Sequence, residues 1–312
     1  MSTQRMHFPN TVHFITNRTE QEKLFLLPSK KVTKLIQCWF ARALCRYGQG
    51  LEIYAFIFLS NHFHLLVNDT QGTLAAFLWY FQGNLAKAVN RELGRKGKFW
   101  SREYDDVIVH GEKEFWNRYA YTLGNAVKAG LVDTSAEWIG WSSFQGALSD
   151  GRYRFEMLNN TKLHNATRRG QKVDKSKFVE TWTFSLTPPP SFADKNASET
   201  KRFIEDLMKS AEVEYRNLRG NRRPLGIAMI LKQRPTDRPQ ASSFRPRIKV
   251  FCLDRERRHE WLDGYRNFVG RYREIFDGFR KAAAKKRRPT VEWPEGSYPP
   301  SCWFPVGSCQ AG

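Results

Sequence analysis

Two histidines, His62 and His64, stand two residues apart in the run Phe58-Leu-Ser-Asn-His-Phe-His-Leu-Leu-Val67. Residues i and i+2 of an extended strand project from the same face. Both imidazoles can therefore reach a single divalent ion, while Phe63, Leu65 and Val67 fill the opposite face. Taken alone, such a pair fits a solvent-facing strand better than a metal site.

A second group of residues changes that weighting. The run Tyr119-Ala-Tyr-Thr-Leu-Gly-Asn-Ala-Val-Lys-Ala-Gly130 has a helical pattern. Tyr121 and Asn125 are four apart and share one helix face. The Asn125 amide oxygen is a hard ligand suited to Mg²⁺ or Mn²⁺. Tyr121 lies one turn away, near the same ion. A phenol has a pKa of about 10 and is a poor nucleophile at neutral pH. It attacks a phosphate when a metal polarises that phosphate and the geometry is in line. Tyr119 competes for the role, but it points roughly 200° away around the helix. Only one of the two faces the metal, and the match with Asn125 selects Tyr121. Tyr104, in an expected strand, is a weaker candidate.

The elements that must position these residues follow from apolar periodicity. Residues 11–16 alternate as a short strand. Residues 29–47 carry a helical stripe of Val32, Leu35, Ile36, Trp39, Phe40, Ala43 and Leu44, closed by Gly48 and Gly50. Residues 51–59 and 62–67 are strand-like and flank Ser60-Asn61, which predicts a hairpin. A second helix is expected over 74–93, a further strand over 99–109, and a third helix over 112–129 with Gly130 as its stop. Strand, helix, strand, strand, helix, strand, helix is the split βαβ, or ferredoxin-like, α+β pattern with one helix added. Its expected form is an antiparallel sheet with packed helices.

Beyond residue 150 the texture changes. Residues 151–175 are polar and basic with little periodicity. A strand is expected over 180–186, a charged helix over 199–218, extended chain over 233–247, and a long basic amphipathic helix over 257–286. The expected division is a catalytic domain at 1–150, a partly ordered linker at 151–195, a basic and mostly helical region at 196–288, and a tail at 289–312.

The net charge is +20, and it is unevenly distributed. Residues 1–150 hold 17 basic and 13 acidic side chains, against 34 and 18 in the remainder. This concentrated excess favours a polyanionic partner, above all nucleic acid. The apolar face of the long helix is expected to pack inward and its basic face to turn outward. Apolar runs fall well short of the roughly 20 residues a membrane span needs, so no membrane partner is expected. Met1-Ser-Thr-Gln-Arg-Met-His lacks the apolar core of a signal peptide, which predicts the cytoplasm. The five cysteines have no C-x-x-C spacing and read as reduced thiols rather than a zinc cluster.

The segment from Phe56 through His62 and His64 to Val67 resembles the His-hydrophobic-His motif of single-tyrosine HUH transposases. Lys98-Phe-Trp-Ser-Arg-Glu-Tyr-Asp-Asp-Val-Ile108, followed by residues 121–132, resembles the REP-associated tyrosine transposase branch. There the catalytic tyrosine precedes by four an Asn that usually begins Asn-Pro-Val-x-x-Gly. Here the run is Asn125-Ala-Val-Lys-Ala-Gly130, with Ala126 in place of the proline. The resemblance covers about residues 8–145. It implies an HUH nuclease core in which His62, His64 and Asn125 hold a divalent ion, Mg²⁺ or Mn²⁺. It further implies that Tyr121 attacks single-stranded, hairpin-bearing DNA, giving a 5′-phosphotyrosine link and a free 3′-OH. Attack by another 3′-OH would complete strand transfer, and related enzymes often act as dimers. The expected location is then the nucleoid.

Arg18, Lys96, Lys98 and Arg102 are well placed to hold phosphates near such a site, and each also fits a solvated surface charge. Trp100 suits core packing better than base stacking. Two other functions remain open: a non-catalytic DNA- or RNA-binding protein on the same scaffold, and a metallohydrolase of small phosphate esters. The second leaves the basic C-terminal half unexplained.

Overall fold

A computed structural model describes residue 6 and residues 10–169, 173–239, 248–284 and 291–297. The first half runs β1 (Thr11–Arg18), α1 (Lys30–Tyr47), β2 (Leu51–Phe58), β3 (His62–Asp69), α2 (Leu74–Glu92) and β4 (Asp105–Val109). The strands lie in the order β2-β3-β1-β4, and each neighbouring pair is antiparallel. This is the ferredoxin-like α+β arrangement expected from the element order. One departure is a fifth strand, β7 (Val250–Phe251), which joins β4 in parallel and makes the sheet mixed.

Local chemistry explains why these elements form. Ser29 caps α1 by accepting from the Val32 N–H at 3.2 Å. The Asp69 carboxylate, fully buried at the end of β3, accepts from the backbone N–H groups of Thr73 and Leu74, both at 3.0 Å, and so starts α2. One sheet face carries Phe63, Leu65 and Val67, which pack with Phe40, Phe77 and Phe81 beneath α1 and α2. The other face carries Phe14, Tyr54 and Leu66.

That second face is covered by α3 (Glu112–Leu123) and the short α4 (Asn125–Lys128). The expected single helix over 112–129 is broken at Gly124. Helix α7 (Ala197–Arg219) crosses the break, and a Cβ on Gly124 would lie 2.7 Å from Tyr215 Cε2 and 3.3 Å from Met208 Cε. Only glycine permits that approach. Ile204 and Met208 of α7 join the core with Phe115, Tyr119 and Leu123, and Glu212 accepts from the Ser135 N–H at 2.7 Å.

Two other expectations need correction. The strand expected over 99–109 begins only at Asp105. Phe99 is buried against Phe25, Trp100 pairs with Thr19, and the polar Ser101-Arg-Glu stretch bends the chain before it aligns with β1. Trp100 packs beside the core and donates its indole N–H to the Gln82 carbonyl at 3.1 Å. Within 151–175, β5 (Arg152–Leu158) and α6 (Asn160–Arg168) are formed. Strand β5 pairs with β6 (Val179–Ser185), and Tyr153, Phe155 and Phe184 pack against Trp141 and the α1 side of the core.

In α9 (Arg255–Ala284), Phe268 and Tyr272 are buried. Trp261 and Leu262 pack on Ile108, Val250 and Cys252, while Arg258, Arg266, Arg271 and Arg273 are exposed. The last two residues of the expected helix over 257–286 lie outside the described residues, as do 240–247 of the expected extended segment and most of the expected tail. Among the described residues, no helix is long and apolar enough to cross a membrane.

The sheet also buries a charge pair. His13 of β1 lies 2.8 Å from the Asp106 carboxylate of β4. Burial alone would lower the imidazole pKa, but the Asp106 charge and hydrogen bond raise it above its ordinary value. A raised folded pKa gives stability that is complete below the unfolded value of about 6.5 and lost as pH rises through the folded value. The stability advantage of the wild type over His13→Gln, read from urea-unfolding midpoints, therefore shrinks as pH increases above about 6.5. An advantage that stays constant from pH 6 to pH 9 would rule the pair out as the cause.

Candidate metal and nucleophile site

Antiparallel pairing aligns β1 with β3 so that Thr16 opposes His64 and Arg18 opposes His62. Both imidazoles lie on the face covered by α3 and α4, and both are buried. Their ring centres are 4.9 Å apart and their planes are nearly perpendicular, at 81°.

Each ring is held through its Nδ1. The His62 Nδ1 lies 2.6 Å from the Asn61 amide oxygen. That oxygen only accepts, so His62 Nδ1 carries the proton and Nε2 is bare. The His64 Nδ1 lies 2.7 Å from the Thr16 hydroxyl, and its Nε2 is buried with no hydrogen-bond partner. Phe14 stacks on the His64 ring at 5.0 Å and fixes its plane. Burial pushes the His62 pKa down to about 3, helped by the Arg18 charge and opposed by the Asn125 amide, whose oxygen favours the protonated ring. Burial also holds His64 well below its ordinary value, followed by the charges of His62, Arg18, Arg118 and Lys128. Both rings are therefore neutral, the state in which imidazole binds a metal.

The helix break brings the other two residues in. Asn125, the first residue of α4, is buried beside His62, close enough to act on its pKa. Tyr121, half-buried one turn earlier on α3, meets the His64 ring at 5.3 Å with planes at 74°. Tyr119 turns the other way. It is buried among Phe115 and Trp116, and burial raises its pKa. His62, His64, Asn125 and Tyr121 thus occupy one cluster, and two imidazoles with one amide oxygen could hold a divalent ion. The orphaned, buried His64 Nε2 and the fixed Nδ1 partners suit such an ion, because ligating histidines are generally oriented through their second nitrogen. Among the described residues no group of three His, Cys, Asp or Glu side chains gathers anywhere, so an amide is needed to complete a third ligand.

The four basic residues singled out from sequence fare differently. Arg18 stands at the end of β1, and its charge acts on both histidines; Glu22 lies 3.9 Å from it. The loop after α2 is tied to the same end of β1 by the Ser101 N–H, which donates to the Arg18 carbonyl at 2.9 Å. Lys98 and Arg102 of that loop engage carboxylates, Glu20 at 3.3 Å and Asp105 at 2.7 Å. Lys96 is exposed. Sequence reading passed over two cations that flank Tyr121. The Arg118 guanidinium lies 4.8 Å from the Tyr121 ring centre, and the Lys128 ammonium lies 4.5 Å from it. A signal existed: Arg118, Tyr121 and Asn125 fall at i, i+3 and i+7, on one helix face.

No protein-family model matches this chain, and no curated protein matches it. Several solved structures are similar in part, among them the following three. A REP-associated tyrosine transposase bound to a REP hairpin aligns over 47% of this chain and 85% of its own, with 15% identity and a TM-score of 0.40. A putative transposase from Deinococcus radiodurans aligns over 40% of this chain and 97% of its own, with 15% identity and a TM-score of 0.28. The tRNA(His) guanylyltransferase of Saccharomyces cerevisiae aligns over 56% of this chain and 77% of its own, with 8% identity and a TM-score of 0.32.

Proposed function

We propose that this protein is a metal-dependent DNA transposase or endonuclease. It cleaves and rejoins single-stranded, hairpin-bearing DNA through a tyrosine nucleophile. The observation that carries the reading is the convergence of Tyr121 and Asn125 on two buried neutral imidazoles, one of which has an unpartnered Nε2. The cations Arg18, Arg118 and Lys128 around His64 favour an anionic substrate over an uncharged one. The resemblance of the His62–His64 and Tyr121–Asn125 motifs to REP-associated tyrosine transposases supplies the substrate class.

In this reading His62, His64 and Asn125 hold the ion, Mg²⁺ or Mn²⁺. When bound, it supplies Lewis-acid polarisation of the scissile phosphate. Tyr121 Oη attacks phosphorus and the P–O3′ bond breaks. A 5′-phosphotyrosine and a free 3′-OH result; the phenol proton leaves to water, and the departing 3′-oxygen takes a proton from water. Asn61 and Thr16 keep the two imidazoles oriented, and α3 keeps the phenol at the edge of His64.

The test is a covalent adduct on a denaturing gel, using hairpin oligonucleotides with randomised single-stranded flanks and Mn²⁺. Wild type forms the adduct. Tyr121→Phe forms none but still binds Mn²⁺, whereas His64→Ala loses both. Adduct formation by Tyr121→Phe would remove Tyr121 from the role, and absence of any adduct with wild type would favour a non-catalytic binding protein. Thr16→Val leaves the ligand set complete but frees the His64 ring. It should weaken Mn²⁺ binding by roughly 10- to 100-fold, as loss of an outer-shell partner typically does. Unchanged Mn²⁺ affinity in Thr16→Val would show that Thr16 has no part in holding the ion.

A further inference from the structure

Among the described residues, Arg118 is a cation held in place with no carboxylate paired to it. Its guanidinium lies 3.9 Å over the Phe251 ring of β7 and 5.4 Å from Phe14, so two aromatic rings fix it. Its Nε is buried with no hydrogen-bond partner, and among the described residues no carboxylate pairs with it. Burial works against its charge. Desolvating a guanidinium without a counter-ion costs free energy, and an apolar side chain would cover Phe251 as well. The charge must therefore serve something that is not part of the chain.

Its position says what. Arg118 stands one helical turn before Tyr121, on the face that leads to Asn125. The other two cations around His64 are less suited to fix an anion. Lys128 is exposed on a flexible stem, and Arg18 has Glu22 beside it. A planar guanidinium offers several donors in a rigid fork that matches phosphate oxygens, which an ammonium does not.

We propose that Arg118 clamps the scissile phosphodiester, donating to a non-bridging oxygen of the phosphate that Tyr121 attacks. The inference rests on Tyr121 being a nucleophile toward DNA. As the Tyr121 Oη–P bond forms and the P–O3′ bond breaks, negative charge is carried by the non-bridging oxygens. A donor already held there by Phe251 stabilises that arrangement with little reorganisation.

The experiment begins with the adduct formed by wild type on hairpin oligonucleotides with randomised flanks. Sequencing of the bound strand locates the cleaved linkage. Single-turnover adduct formation at saturating DNA is then compared for wild type, Arg118→Met and Arg118→Lys. Methionine keeps an apolar stem over Phe251. The expected outcome is a slowing of about 10²- to 10³-fold in Arg118→Met, the usual cost of removing one charge-stabilising donor. Arg118→Lys recovers only part of the rate, because the fork is lost.

A second measurement separates the clamp from a structural role. DNA affinity is measured in Tyr121→Phe protein, with and without a neutral methylphosphonate at the cleaved linkage. If Arg118 contacts that phosphate, the methylphosphonate weakens binding by about tenfold or more when Arg118 is present, and by less than about twofold in the Arg118→Met protein. Equal weakening in both proteins, or an Arg118→Met rate within about threefold of wild type, overturns the clamp. Were Arg118→Met not to fold, Arg118→Gln, which also removes the charge, would carry the same comparison. Absence of any wild-type adduct overturns the nucleophile and the clamp together; an adduct without the methylphosphonate coupling overturns the clamp alone.

Discussion

The antiparallel pairing of β1 with β3 is the contact on which the site depends. Side chains alternate along a strand, so a slip of one residue would turn His62 and His64 into the core and expel Phe63, Leu65 and Val67. The apolar face prevents that slip. Phe63 stacks on Phe58 at 5.3 Å and meets Phe81 edge-on at 6.0 Å, deep beneath α1 and α2. Register is therefore set by packing on one face, and the chemistry on the other face inherits it. Thr16 reaches His64, and Arg18 faces His62, because the core fixes which residues oppose them.

The helices on the polar face face a different constraint. Asn125 and Tyr121 must reach β3 from one helical segment, yet the chain breaks between them at Gly124. The break does not loosen the site, because α7 lies across it with Met208 and Tyr215 in near contact. Tyr215 continues into a cluster with Ala126 and Val127, the residues that follow Asn125. A charged helix far along the sequence thus stabilises the position of a candidate ligand without touching the ion it would bind.

Much of this was legible in the sequence where one physical signal acted alone. The stripe of Val32, Ile36 and Phe40 marked α1, and the Ser60-Asn61 pair between apolar runs marked the β2–β3 hairpin. The i+2 and i+4 spacings of His62 with His64, and of Tyr121 with Asn125, were readable because each pair lies on one regular element. Legibility failed where distant contacts decide. The strand over 99–109 was drawn too long, because aromatic content masks the turn that the Ser101 hydrogen bond to Arg18 imposes. At the helix break, Gly124 lies against Tyr215 and Met208 of α7, a contact made by residues more than 80 positions later. Strand β5 does alternate, as Arg152-Tyr-Arg-Phe-Glu-Met157, and that period-two signal was missed; the strand pairs with β6 and packs on Trp141. Arg118 was passed over because its isolation from carboxylates is a property of the fold. Lys98 and Arg102 stood out, although Glu20 and Asp105 engage them.

The electrostatics of the cluster carry the argument one step further. A pocket meant only for a hard divalent cation such as Mg²⁺ is usually lined with carboxylates. Here the candidate ligands are neutral, and the charges of Arg18, Arg118 and Lys128 all disfavour further positive charge at His64. Such a site resists a lone cation and resists less once an anion is present. By linkage, whatever a bound phosphate contributes to ion affinity the ion returns to phosphate affinity. On the proposed reading, ion and DNA then assemble the reactive arrangement together, and neither alone fills it. On the same reading the exposed arginines of α9 would draw a polyanion toward the surface, whereas the cations beside Tyr121 would decide where one phosphate comes to rest.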